Sequence, residues 1–135
     1  MKLIFIITLT LYVSLAHAKT PSPCEGINQN LSKKEKLEFS KPVATQLKKD
    51  VKDIKNAEIL KSFRYKKWQI LFVNTHVSDE VYLFYSGNPI TNSYLTLTAG
   101  AATRDEEEET YKWVINHAKG IPPKLARCFS WHITS

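Results

Sequence analysis

Three histidines lie beyond the first 18 residues, His76, His117 and His132, and Asp79 and Glu80 follow closely on the first. A His-x-x-Asp pair at a strand end brings an imidazole and a carboxylate together, and His132 would complete the set if a last strand returned beside them. A zinc or copper centre needs three or four such ligands converging, and no HExxH or comparable spacing supplies them. The sequence therefore implies no metal and no cofactor. Covalent catalysis needs a nucleophile, a base and an orienting acid, and there is no G-x-S-x-G. Ser130 and His132, two apart on one strand face, stand too far from each other for direct proton transfer. The acids Asp105 to Glu109 point apart if they sit on a helix, whereas calcium requires oxygens gathered by a turning loop and a glycosidase pair must flank a cleft. No catalytic residue is assigned; a small hydrolase or metal-dependent enzyme would have to use His76, Asp79 and His132.

The two cysteines carry the firmer chemistry. Met1-Lys2, an apolar run from Leu3 to Leu15 and the A-x-A pattern Ala16-His17-Ala18 read as a secretory signal peptide over residues 1–18. The run is shorter than the ~20 residues a spanning helix needs. No cysteine follows the cleavage pattern directly, so a soluble rather than lipid-anchored product is expected. In an oxidising compartment an even pair, Cys24 and Cys128, is expected to form a disulfide; it contains no CxxC and no zinc-ligand spacing. Removal of the signal leaves 117 residues, enough for one domain over 19–135. The formal charge of +6 falls to +5 without Lys2, a moderate excess gathered between Lys33 and Lys61. Such a run is usually a solvated helix face, and the chain lacks the interleaved basic and aromatic pattern of a nucleic-acid binder.

These residues need elements to position them. After a polar arm that delivers Cys24, Asn30-Leu31-Ser32 fits the N-glycosylation triplet, relevant only in a eukaryotic source. Ser32 and Glu35 have capping-box spacing, so a helix starts there, with a break or restart expected near Ser40 because of Pro42. Val43, Leu47, Val51 and Ile54 then fall on one helical face. Glu58 to Tyr65 reads as a first strand, with Ile59 and Phe63 on one side. The chain's organising stretch is Trp68 to Ala99. Trp68, Ile70 and Phe72 alternate with Leu71 and Val73, and Val81 to Tyr85 is apolar on both faces, the pattern of central strands. Ser86-Gly87-Asn88-Pro89 turns the chain. Tyr94 to Ala99 puts Leu95, Leu97 and Ala99 inward and Tyr94, Thr96 and Thr98 outward. Thr103 to Glu106 repeats the capping-box spacing, with acids where the helix dipole favours them. Tyr111, Val114, Ile115 and Ala118 face inward, and Gly120 with Pro122-Pro123 stops the helix. Cys128 to Thr134 alternates as a last strand. The expected fold is α+β: an N-terminal helix, a four-stranded antiparallel meander, a C-terminal helix and a last strand, with the helices on one sheet face.

FYSGNP at Phe84 to Pro89, the acids before an aromatic helix, and GIPPKLARCFSWHIT at Gly120 to Thr134 resemble a group of small exported bacterial proteins of unassigned function. The resemblance spans about half of the mature chain. It implies a periplasmic or secreted location and no activity.

Apolar residues on both faces of the central strands call for a cover over the second face, from the C-terminal segment, a second copy or a protein partner. The expected function is thus a disulfide-tied binding protein, of inhibitor or immunity type at its most specific. It would engage a protein partner or homodimerise through the sheet, with Trp68, Phe72, Tyr82, Phe84 and Tyr94 as candidate binding residues. A second expectation is a binder of anionic envelope components through Lys48, Lys49, Lys52 and Lys55. No nucleic acid and no membrane span after signal cleavage are expected.

Overall fold

The computed structural model describes residues 21–100 and 102–135; the expected signal peptide lies outside them. The first helix begins where its caps dictate. Ser32 Oγ accepts the Glu35 backbone N–H at 3.1 Å, and Glu35 Oε1 accepts the Ser32 N–H at 3.4 Å, closing the capping box. Helix α1 then runs from Lys33 to Leu47 straight through Pro42, so the expected break does not occur. Burial explains it: Phe39, Val43, Ala44 and Leu47 lie against the sheet on both sides of the proline, and the missing Pro42 N–H costs less than losing that face. Ser40, where the restart was expected, donates its hydroxyl to the Ala57 carbonyl. Val51 and Ile54 come after the helix rather than on it, although Ile54 still reaches the core.

Four antiparallel strands follow in spatial order β1-β2-β3-β4: β1 (Glu58–Tyr65), β2 (Trp68–Asn74), β3 (Val81–Tyr85) and β4 (Thr96–Ala99). The meander is the expected one, with two local differences. In β1 the register shifts between Ile59 and Lys61, a bulge that admits Leu60 as an extra residue and turns the rest of the strand over. Ile59, opposite Val73, therefore packs on the α1 side, whereas Phe63, opposite Ile70, packs on the other. In the last strand, Tyr94 precedes β4 and is buried while Leu95 is 51% exposed. The inward and outward assignments of these two residues are the reverse of the alternation in their sequence. Tyr94 is drawn in by Asp50, which accepts its hydroxyl, and by Lys49, whose Nζ sits 4.5 Å from the ring centre.

The C-terminal quarter corrects the expected last strand. After the 3-10 turn Arg104–Glu106 and helix α2 (Glu107–His117), residues Pro123–Ile133 form a third helix, α3. Pro122-Pro123 ends one helix and begins the next, since a proline at the first helical position loses no hydrogen bond there. Leu125, Ala126, Cys128 and Phe129 recur at helical spacing on the buried side. Helices consequently cover both sheet faces rather than one. Ile59, Leu71, Val73, Val81, Leu83 and Tyr85 meet α1, and Phe63, Trp68, Ile70, Tyr82 and Phe84 meet α2 and α3. Of the three possible covers for the second face, the C-terminal segment provides it.

Cys24 and Cys128 form the expected disulfide, fastening the N-terminal arm to α3. The arm is also stitched to the free side of β1 by two backbone hydrogen bonds between Asn28 and Arg64, at 2.9 and 2.8 Å. Among the described residues, no helix is long and apolar enough to cross a membrane.

Candidate functional site

Among the described residues, the sheet order leaves β4 with a strand on one side only. Groups on its other side, N–H and C=O alternately, have no ladder to join. Beside this edge, α2 stands off from the sheet. Trp113 reaches back over Phe84, ring centres 6.2 Å apart, and α3 brings Phe129 to 5.1 Å from the same ring. Between these side chains and the end of β4 lies a cavity of about 270 Å³, walled by Thr98, Ala99 and Gly100 on the strand side and Glu106, Glu109 and Thr110 on the helix side. Trp113, Phe129 and Ile133 make its apolar lining.

A second cavity, about 320 Å³, continues from it and shares Gly100 and Ile133. Its floor is the stacked pair Phe72 and Tyr82, centres 4.4 Å apart, and its rim carries Asp79, Glu80 and His132. Burial, with the negative charge of Glu80 added, pushes the Tyr82 phenol above its ordinary range, so it stays protonated at neutral pH. Burial and the nearby Lys61 lower the His132 pKa from the usual imidazole value, favouring the neutral ring. His132 rests edge-on against Phe63 at 4.9 Å. The two cavities form one groove with carboxylates at each end and aromatic rings between.

The carboxylates at the α2 end divide by role. Glu106 holds the start of its helix by accepting the Thr103 N–H at 2.7 Å, which lowers its pKa. Glu107 pairs with Arg104, and Glu108 with Arg127 at 2.8 Å. Glu109 faces the groove and has no ion-pair partner among the described residues. The acid run thus mixes the expected dipole and capping work with one carboxylate, Glu109, on the groove wall.

The residues singled out from sequence are distributed differently from expectation. Trp68, Tyr82, Phe84 and Tyr94 are buried and Phe72 is half-buried, so these aromatics are chiefly core and do not offer an open sheet face. Of the five, only Phe72 and Tyr82 line the groove. Asp79 and His132 share a cavity, as the chemical reading required, but His76 does not join them. It lies elsewhere with its Nε2 3.0 Å from Glu58. No group of three or more His, Cys, Asp or Glu placed to hold a metal occurs among the described residues. Ser130 is buried and gives its hydroxyl to the Ala126 carbonyl at 2.8 Å, an ordinary helix back-bond. Lys48, Lys49 and Lys52 are exposed.

Trp113, Phe129 and Ile133 escaped the sequence reading as groove residues because they belong to two helices that meet only in three dimensions. The available signal was the excess of large apolar residues on α2 and α3 over what one buried face uses. Compared with protein-family models, with curated proteins and with solved structures, the chain matches none.

Proposed function

We propose that this is a non-catalytic binding protein, exported and tied by its disulfide, that receives an extended segment of a protein partner along the β4 edge. The observation that carries this reading is the groove beside the outer edge of β4, which has no strand partner among the described residues. A guest segment can add to the ladder through its backbone while alternate side chains enter the apolar lining, the recognition mode in which backbone pairing supplies affinity and pockets supply specificity. Carboxylates at both ends, Glu109 at one and Asp79 and Glu80 at the other, select a guest with lysine or arginine flanking an apolar centre. The same charges disfavour self-pairing through β4, because two copies side by side would bring their α2 acids together. The resemblance to small exported bacterial proteins supports the location, and inhibitor or immunity type is the finer form of the proposal.

The test uses a synthetic peptide of alternating valine and threonine with lysine at both ends, against the same peptide ended with glutamate. Binding is followed by intrinsic tryptophan fluorescence and amide shifts. The lysine peptide is expected to perturb Thr96 to Gly100 and to lose at least tenfold in affinity on Glu109→Lys or Thr110→Arg. Equal binding of both peptides, or shifts confined to the α1 side, would overturn the reading. In parallel, an envelope pull-down with wild type and Thr110→Arg should recover one stoichiometric partner with the first and not the second.

A further inference from the structure

On the opposite side of the sheet the charge reverses. Along one flank of α1, Lys33, Leu37 and Lys41 lie at helical spacing, Lys48 continues the row at the helix's C-cap, and the loop that follows places Lys55 beside them. Lys36 borders the same surface. Two shallow depressions, about 540 and 340 Å³, share Leu37, Ser40 and Asn56 and so form one continuous surface with Leu37 at its middle. Leu37 is 69% exposed, the most open of the large apolar side chains among the described residues. Among the described residues none of these five lysines has an ion-pair partner. The acids of α1 are used elsewhere, Glu35 by Arg64 at 2.7 Å and Glu38 by Lys34 at 3.8 Å. Glu58, which borders the larger depression, lies with its carboxylate 3.0 Å from His76 Nε2.

We propose that this α1 surface docks on anionic phospholipid headgroups, with Leu37 entering the acyl boundary. Unpaired lysines around a single protruding leucine match what such a surface asks for: several positive charges within a Debye length of the headgroups, and one apolar side chain that gains by leaving water. A folded protein partner would require a broader apolar patch than one leucine. Adsorption by α1 turns α2, α3 and the groove away from the bilayer, because these helices cover the other sheet face. The proposal does not depend on the groove being a peptide site.

Co-sedimentation with vesicles of phosphatidylcholine containing 30% phosphatidylglycerol, against pure phosphatidylcholine, tests it. At low salt the protein is expected to bind only the anionic vesicles. Each lysine near the surface contributes about fivefold, so Lys41→Gln/Lys48→Gln/Lys55→Gln should reduce partitioning on the order of 100-fold. Lys112→Gln/Lys119→Gln/Lys124→Gln, which removes equal charge from α2, α3 and the loop between them, should bind nearly as wild type. Leu37→Ser should cost roughly tenfold, and that loss should persist in 0.5 M salt, where the lysine contribution is screened. All seven substituted residues are exposed, so the fold is expected to survive each change, with circular dichroism as the check. The proposal fails if neutral vesicles bind equally, if both triple variants lose equally, if nothing binds, or if only a soluble polyanion such as dextran sulfate is taken up.

Discussion

Replacing the disulfide by Cys24→Ala/Cys128→Ala should lower the stability of the domain by close to half. The bond joins residues 104 apart, and closing a loop of about that length removes some 4.7 kcal/mol of chain entropy from the unfolded state. Against a total of about 6–17 kcal/mol for a domain of this size, that is a large share. With an unfolding entropy of ~2.1 cal/mol/K per residue, 1 kcal/mol corresponds to about 4 °C here, so the melting temperature should fall by about 20 °C. Alanine is the right replacement, because Cys128 is fully buried and a serine hydroxyl there would add an unmet polar group. The fold itself should persist, since buried Ile27 and the two Asn28–Arg64 hydrogen bonds still hold the arm. The assay is thermal unfolding followed at 222 nm, oxidised wild type against the variant and against wild type in reductant. A fall below ~5 °C with unchanged near-ultraviolet dichroism would refute the reasoning. It would mean either that the unfolded chain is already compact enough to make the cross-link redundant, or that the arm detaches and gives the native state back the same freedom.

Three other outcomes are expected. Pro42→Ala should stabilise the protein by about 2 kcal/mol, the helix gain of ~3 kcal/mol less the entropy regained by the unfolded chain, read as a shift in urea midpoint at constant slope. Phe129→Ala, at a fully buried ring that meets both Tyr82 and Phe84 edge-on, should cost about 3–5 kcal/mol in the same experiment. On acidification His132 should give a first, separate loss of stability. Its folded-state pKa lies below the unfolded value, so the unfolded chain takes up the proton first, and stability falls as pH drops from about 6.5 through the depressed value. His132→Gln should abolish that step and leave the lower one, in which Glu106 and Glu108, held down by Thr103 and Arg127, finally protonate.

The meander and both capping boxes were legible because their signals are local: two-residue alternation, turn residues, and Ser32–Glu35 and Thr103–Glu106 at fixed spacing. The disulfide was legible because the signal-like start implied an oxidising compartment, where a single pair of cysteines has one way to join. What misled was ambiguity of period. In the segment from Leu125 to Ile133, apolar residues fall at positions that suit a strand of alternation and a helix with one buried face equally well, and Pro122-Pro123 reads as a stop without announcing the next start. The Leu60 bulge left no mark that alternation could detect, so Ile59 and Phe63 seemed to share a face. Pro42 illustrates the opposite failure, a strong local rule overridden by tertiary burial. The groove was beyond reach for a different reason: its walls come from β2, β3, β4, α2 and α3, and its existence depends on α3 being a helix.

The order of synthesis gives the second sheet face a history. Among the described residues all strand pairings join neighbours along the chain, and α1 is made before any of them, so one face of the sheet can be closed as soon as β3 emerges. The face bearing Phe63, Ile70 and Phe84 waits for α3, the final helix of the described chain. Until it arrives, a growing or truncated chain presents a formed sheet with one apolar surface bare, the condition under which folding intermediates associate. Losing even the last dozen residues should therefore yield an aggregating product rather than a smaller soluble domain.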